Sequence, residues 1–299
     1  MKLVVLMGGN SDEREVSLKT GKAVVSAVEK LGFEVIPLVF ESSVLPLLPE
    51  LEQADLIFNA LHGGSGENGV ISGFLESLGK RYTGSNNEAS AVCMNKHLSK
   101  MLVAREGIKT PRWKYFKKGE IISALSGFQF PVVIKPNDQG STIGLSIVRE
   151  KSEIANAVTQ ALNYGNDLLI EEYIAGREIT VGIIGDEVLP IVEIIPSHEL
   201  YDYSCKYKKG LSQYYCPAGI EEETTKKIQD QALQIFRLLG CRHYARIDFR
   251  LAKDNQPWFL EANTLPGMTA TSLVPKAAMA AGYSFETLVN RIIKEALRN

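Results

Sequence analysis

Several short stretches combine residue types at spacings that could do chemistry. Residues 130–148 read FPVVIKPNDQGSTIGLSIV: an apolar strand ends in Lys135, a loop with two glycines and the hydroxyls of Ser141 and Thr142 follows, and a second strand begins. Backbone N–H groups freed by glycine, aided by hydroxyls and a lysine charge, form a nest for phosphate oxygens; an ordinary β-turn fits the same pattern. Further on, RIDFRL precedes WFLEANTLPGM. Alternation along a strand puts Arg246 and Asp248 on one face, and Glu261 and Asn263 likewise. Two carboxylates and an amide oxygen are donors that Mg²⁺ takes, usually shared with nucleotide phosphates; surface salt bridging by an edge strand is the alternative. Ile247, Phe249, Phe259 and Leu260 surround these acids, and a charge among core residues is costly unless paired or metal-bound, which favours the first reading.

Other stretches are less specific. In LLIEEYIAGREIT, Glu171, Glu172 and Glu178 suit an adenine amino group and ribose hydroxyls, and equally suit plain solvent exposure. In GGNSDEREVS, Ser11 or Asp12 can cap a helix; Glu15 either complements that helix's dipole or faces a cleft to hold an ammonium. Residues 199–219 carry five tyrosines together with Lys206, a composition for a lid that sets an ammonium on a phosphate or for an interaction surface. His62 is the only histidine in a glycine loop. GxxxxGK[ST], GxGxxG and GxSxG are all absent, so phosphate binding falls to the strand–loop–strand device and to lysines.

These residues need a scaffold. The first third alternates apolar strands (2–7, 34–40, 55–61) with amphipathic helices, a parallel βαβ pattern. In such sheets ligands collect at the carboxyl ends of strands, where Gly8-Gly9 and His62-Gly63-Gly64 fall. A helical run over 88–106 leads into short strands and one helix, a mixed α+β unit. Longer strands (178–185, 188–195) follow, then the tyrosine-rich segment, with little period over 197–218. A helix over 221–239, strands at 244–251 and 257–262, and helices from Ser272 and Ser284 end the chain. The expected units are 1–85, 86–176 and 177–299, with a lid loop at about 198–218.

The 299 residues carry 33 Lys+Arg against 35 Asp+Glu, a net charge of -2, which leaves no basic surplus for nucleic acid. The apolar opening, residues 3–7, is too short for a signal peptide, and no run approaches a membrane span; a cytoplasmic protein with no membrane partner is expected. Cys93, Cys205, Cys216 and Cys241 form no CxxC pair, so free thiols are expected.

In order along the chain, GGNSDEREVS, LHGGSGENG, MNKHLSK, VVIKPNDQGSTIG, YDYSCKY, YARIDF and LEANTLPGM resemble the D-alanine–D-alanine ligases of the ATP-grasp superfamily over nearly the whole length. The resemblance implies a three-domain ATP-grasp fold of α/β and α+β parts. Its N-terminal domain would be a Rossmann-like parallel sheet, and ATP would lie between the other two domains. It implies ligation of two D-alanines through an acyl phosphate for peptidoglycan precursors, with ATP and two Mg²⁺ or Mn²⁺, by a homodimer. Matched positions imply Lys96 and Lys135 on ATP phosphates, Glu171, Tyr173 and Ile174 at adenine, Glu178 at ribose, and Lys206 near the transferred phosphate. Asp248, Glu261 and Asn263 would hold metal. Glu15 would bind the first substrate's ammonium in a set with Ser141 and Tyr207, and His62 would lie close to that substrate. Ser272 and Leu273 would meet the second substrate, and Arg246 with the Gly267 N–H would form an oxyanion site. Asn68 stands where the family has aspartate. Tyr207 resembles dipeptide-forming members; a ligase of different amino-acid or D-alanine–D-lactate specificity is the alternative.

Overall fold

Three sheets organise the computed structural model, which describes residues 1–120, 127–197 and 212–298. In the first, β1 (Lys2–Gly8), β2 (Glu34–Phe40) and β3 (Leu56–Asn59) pair in parallel in the order β2-β1-β3. Helices α1 (Arg14–Lys30) and α2 (Leu48–Gln53) connect them. Leu3, Val4, Val5 and Leu6 are all fully buried because the sheet is covered on both faces, as parallel sheets are. At the end of β1 the chain turns through Gly8 at φ +96°, where a Cβ would stand 2.7 Å from the Phe40 carbonyl oxygen. Helices α3 (Gly64–Glu67) and α4 (Val70–Ser77) follow β3.

The single helical run expected over 88–106 is two helices, α5 (Asn87–Met94) and α6 (Lys96–Arg105). Asn95 leaves the helical region at ψ 95° and its side chain accepts the Leu98 N–H at 3.0 Å. It therefore caps α6 and sets Lys96 in that helix's first turn.

The second sheet is antiparallel, β4 (Trp113–Lys117), β7 (Asp167–Glu172), β5 (Val132–Pro136) and β6 (Ser146–Val148) in that order, with α7 (Ile154–Leu162) laying Ala157 and Ala161 against it. The third runs β11 (Ser212–Tyr215), β10 (Val192–Pro196), β8 (Gly176–Ile184), β12 (Tyr244–Ala252), β13 (Pro257–Asn263), with β9 (Glu187–Val188) beside β8. The strand expected over 188–195 is split because Pro190 has no N–H to donate to a ladder. Residues 212–215, expected to lack regular structure, pair with β10.

Helix α8 (Glu222–Leu238) packs Ile228, Ala232, Ile235 and Phe236 under the third sheet. Helices α9 (Leu273–Ala280) and α10 (Phe285–Arg298) return to the first: Leu288, Val289, Ile292 and Ile293 share a core with Leu3, Val5, Val24 and Phe58. Lys30 on α1 donates to Glu286 on α10 at 2.9 Å. Among the described residues no helix is long and apolar enough to cross a membrane.

Candidate active site

A cleft separates the second and third sheets. Val133 and Ile147 line it from one side and Leu260 and Leu273 from the other, while Lys96, Lys135, Arg246, Asp248 and Glu261 converge on it. Helix α6 begins directly under the loop that follows β5. The Lys96 N–H donates to the Asn137 carbonyl at 3.1 Å, the His97 N–H to the Asn137 side chain at 2.9 Å, and the Lys96 ammonium to the Gln139 carbonyl at 2.6 Å. Lys96 also stands 3.3 Å from Glu261 Oε2, so one lysine ties the glycine loop to the third sheet. Within that loop Ser141 and Thr142 hold φ of 52° and 63°, a left-handed conformation that costs energy in non-glycine residues and concentrates at functional sites.

The carboxylate pair of the third sheet owes its geometry to a bulge. Asp248 pairs with Glu261, yet Phe249 pairs with Phe259, leaving Leu260 as the extra residue. Plain alternation would place Phe259 and Glu261 on one face; the bulge separates them. Phe259 packs edge-on to Phe249 in the core, while Glu261 faces the cleft opposite Asp248. Arg246 grips Asp248 through Nε and Nη2, each 2.9 Å from a carboxylate oxygen, and Thr180 donates to Asp248 at 2.5 Å. Among the described residues no three His, Cys, Asp or Glu gather as a metal cluster. Asp248, Glu261 and Asn263 offer instead two carboxylates and an amide from adjacent strands, an oxygen set that fits Mg²⁺ when phosphate oxygens complete the shell.

Glu171 stands elsewhere than an exposed or purely adenine-facing acid would. It lines the cleft, but its carboxylate is buried with one oxygen 3.0 Å from Lys135 Nζ and the other 3.0 Å from Lys100 Nζ. Burial alone would raise its pKa; the two lysines outweigh that and hold it below the ordinary range. Tyr173, Ile174 and Glu178 line the same cleft. Arg250, unremarked in the sequence, donates to the Ile174 carbonyl at 3.2 Å and to Glu178 and the Tyr173 hydroxyl at 3.3 Å, fixing all three.

A second, more polar pocket adjoins the first and shares Arg246, Glu261 and Leu273 with it. His62, Ser141, Asn263, Gly267 and Ser272 line it. Glu15 does not. Its side chain keeps 71% of its exposure and stands 3.8 Å from Arg14 on the outer face of α1. The acid that the N-terminus of α1 brings to the pocket is Glu13, which is buried and accepts a short hydrogen bond from the Ser141 hydroxyl. Helical phase explains the correction: the buried face of α1 runs Val16, Ser17, Thr20, Val24, and Glu13 lies one turn before it, whereas Glu15 falls on the solvent side. Glycines leave room for that carboxylate, since a Cβ at Gly140 would stand 2.9 Å from Glu13 Oε2 and one at Gly63 3.0 Å. His62 pairs with the Thr20 hydroxyl at 3.0 Å; its burial lowers its pKa, against the opposing field of Glu13.

Glu67 also lines this pocket and was not singled out in the sequence. Burial, reinforced by Glu13, raises its pKa to about 8, against the Gly63 N–H that donates to it at 2.8 Å. The unfolded chain releases that proton in the ordinary glutamate range, so between there and about 8 the native state binds more protons and stability falls as pH rises. Glu67→Gln keeps an acceptor for Gly63 and should flatten this dependence, raising the melting temperature by roughly 2–5 °C at pH 8 and little at pH 5. Melting curves across that range check it.

Ser272 caps the opposite rim: its hydroxyl accepts the Thr269 N–H at 3.1 Å, and a Cβ at Gly267 would stand 2.9 Å from it. Lys206 and Tyr207 lie outside the described residues.

Comparison with known proteins shows the family and the fold. The family model described as D-ala D-ala ligase C-terminus matches residues 102–294. A D-alanine–D-alanine ligase of Aquifex aeolicus is 44% identical over 98% of this chain and 100% of its own. Among solved structures, the Bacillus anthracis D-alanine–D-alanine ligase complexed with ATP superposes with a TM-score of 0.87 at 35% identity, covering 100% of this chain and 97% of that one. The VanG D-Ala:D-Ser ligase of Enterococcus faecalis gives 0.86 at 29% identity, over 99% of both chains.

Proposed function

Since this chain belongs to the D-alanine–D-alanine ligase family, we propose that it joins two D-alanines into D-alanyl-D-alanine, converting ATP to ADP and phosphate, to supply peptidoglycan precursors. One observation carries the reading: the phosphate-type cleft and the smaller polar pocket share Arg246, Glu261 and Leu273, so a carboxylate in one has a short path to a phosphoryl group in the other.

In this reading Tyr173 and Ile174 contact adenine, Glu178 takes the ribose hydroxyls, and Lys96 and Lys135 meet the phosphates. Asp248, Glu261 and Asn263 would hold two Mg²⁺ or Mn²⁺, which when bound screen phosphate charge. Glu13, in place of Glu15, holds the first D-alanine's ammonium, with Ser141 and the lid residue Tyr207 completing the set and His62 nearby. The first D-alanine carboxylate attacks the γ-phosphorus, the bond to the ADP oxygen breaks, and an acyl phosphate results. Lys206 accompanies the transferred phosphate. The second D-alanine, its carboxylate at Ser272 beside Leu273, attacks the acyl carbon as free amine. Arg246 and the Gly267 N–H stabilise the tetrahedral oxyanion until phosphate leaves. The lid loops shut out water, which would otherwise hydrolyse the acyl phosphate. Family likeness supports a cytoplasmic homodimer.

Phosphate release from ATP, measured with D-alanine, L-alanine, D-serine and D-lactate in turn, tests the reading. D-alanine alone should drive turnover and yield the dipeptide. Turnover confined to another substrate would overturn the specificity, and none with any would overturn the ligase assignment.

A further inference from the structure

Lys100 is a fully buried charge that the proposed reaction leaves unused. It sits on α6 one turn past Lys96 but does not line the cleft. Its ammonium touches Glu171 at 3.0 Å and lies over the Trp113 ring at 5.1 Å, and that ring is fixed in turn by its N–H donating to His97 Nδ1 at 2.9 Å. Glu171 is therefore shared: Lys100 from behind, Lys135 from the cleft side, each at 3.0 Å.

Charge accounting gives this arrangement a consequence. Lys135 with Glu171 alone would be a neutral pair, and a lysine neutralised by its own carboxylate has little attraction left for an anion. With Lys100 the buried group holds two cations and one anion and keeps one positive charge, which its cleft-side member presents to the cleft. Resting on the ATP reading of the cleft, we propose that Lys100 is a positioning residue for nucleotide binding: by balancing Glu171 it leaves the charge of Lys135 available to the ATP phosphates and holds its side chain in place. The low-dielectric surroundings make that one charge count for far more than it would in water.

The groups facing Lys100 are Glu171 and Glu172 on β7, Lys135 on β5 and the Trp113 ring on β4. Burial pushes its pKa down to about 8, with Lys135 adding to the effect and Glu171 opposing it. An anionic ligand beside Lys135 favours the protonated form, so ATP binding near pH 8 draws a proton onto the protein and binding at pH 6 draws far less.

Calorimetric titration with Mg-ATP in buffers of different ionisation enthalpy, together with steady-state kinetics, tests this. Lys100→Met should weaken ATP binding by roughly 30-fold and raise the KM for ATP in step, with kcat within about threefold of wild type. Lys100→Met combined with Glu171→Gln, which restores a single positive charge through Lys135, should recover binding to within about fivefold. A packing role alone would leave the double variant no better than the single one. That outcome, or wild-type affinity in Lys100→Met, would overturn the inference. If Lys100→Met does not fold, the folded double variant decides: a loss of ATP affinity well beyond about fivefold from wild type would overturn it as well. A wild-type protein that binds no ATP would overturn the reading of the cleft, and this inference with it.

Discussion

Glu13→Gln will lower kcat/KM for D-alanine by roughly 10²–10³-fold, while Glu15→Gln will leave it within about twofold. The contrast follows from burial. Glu13 is enclosed between Gly63, Gly140 and Ser141, so in the proposed complex its negative charge meets an ammonium with little water to screen either. Glutamine keeps an acceptor for the Ser141 hydroxyl and nearly the same volume, so the variant should fold and retain ATP binding while losing the charge. Glu15 projects into solvent beside Arg14, where a single charge contributes little. Steady-state kinetics at varied D-alanine with saturating ATP separate the two. A large loss in Glu15→Gln, with Glu13→Gln near wild type, would return the ammonium site to the residue suggested by sequence likeness.

Glu261→Gln should reduce kcat by about 10³-fold and raise the Mg²⁺ concentration needed for half-maximal rate. This side chain borders both pockets, stands across from Asp248, and holds Lys96 at 3.3 Å. The substitution removes one of the two carboxylates available to a cation and releases Lys96 from its partner, so two phosphate-directed groups are disturbed together. Because the side chain retains 26% of its exposure, the cost to stability should stay within about 1 kcal/mol. Melting temperature and a Mg²⁺ titration of the rate check both parts. Unchanged kinetics across the Mg²⁺ range would remove Glu261 from the ligand set.

What the sequence made legible was largely local. Alternation placed Arg246 and Asp248 on one strand face, and the glycine-hydroxyl run after Lys135 marked a phosphate-type loop; both depend only on neighbours along the chain. Leu260 shows where that logic stops. A bulge depends on how two strands pair, and no periodicity within β13 announces it. Asn95 was readable in principle, since an asparagine directly before a lysine-led helix is a capping signal, but the continuous apolar pattern around it masked the break. Glu13 and Glu15 differ by two residues, and only the phase of Val16, Ser17 and Thr20 separates the buried acid from the exposed one. The ion pairs of Glu171 with Lys100 and Lys135 join residues 71 and 36 positions apart, counted from their numbers, and come from tertiary packing alone. The division proposed at 85 and 176 likewise gave no hint that the last helix closes the first sheet.

That closure bears on how the chain is made. During synthesis the strands of the first sheet emerge from the ribosome well before residues 288–296, so the apolar face formed by Leu3, Val5 and Phe58 acquires part of its cover only after those later residues are made. The nascent chain must therefore carry an open, sticky sheet until those residues arrive. A chain halted at residue 283 should bind a hydrophobic dye and a holdase chaperone, whereas the finished protein should bind neither.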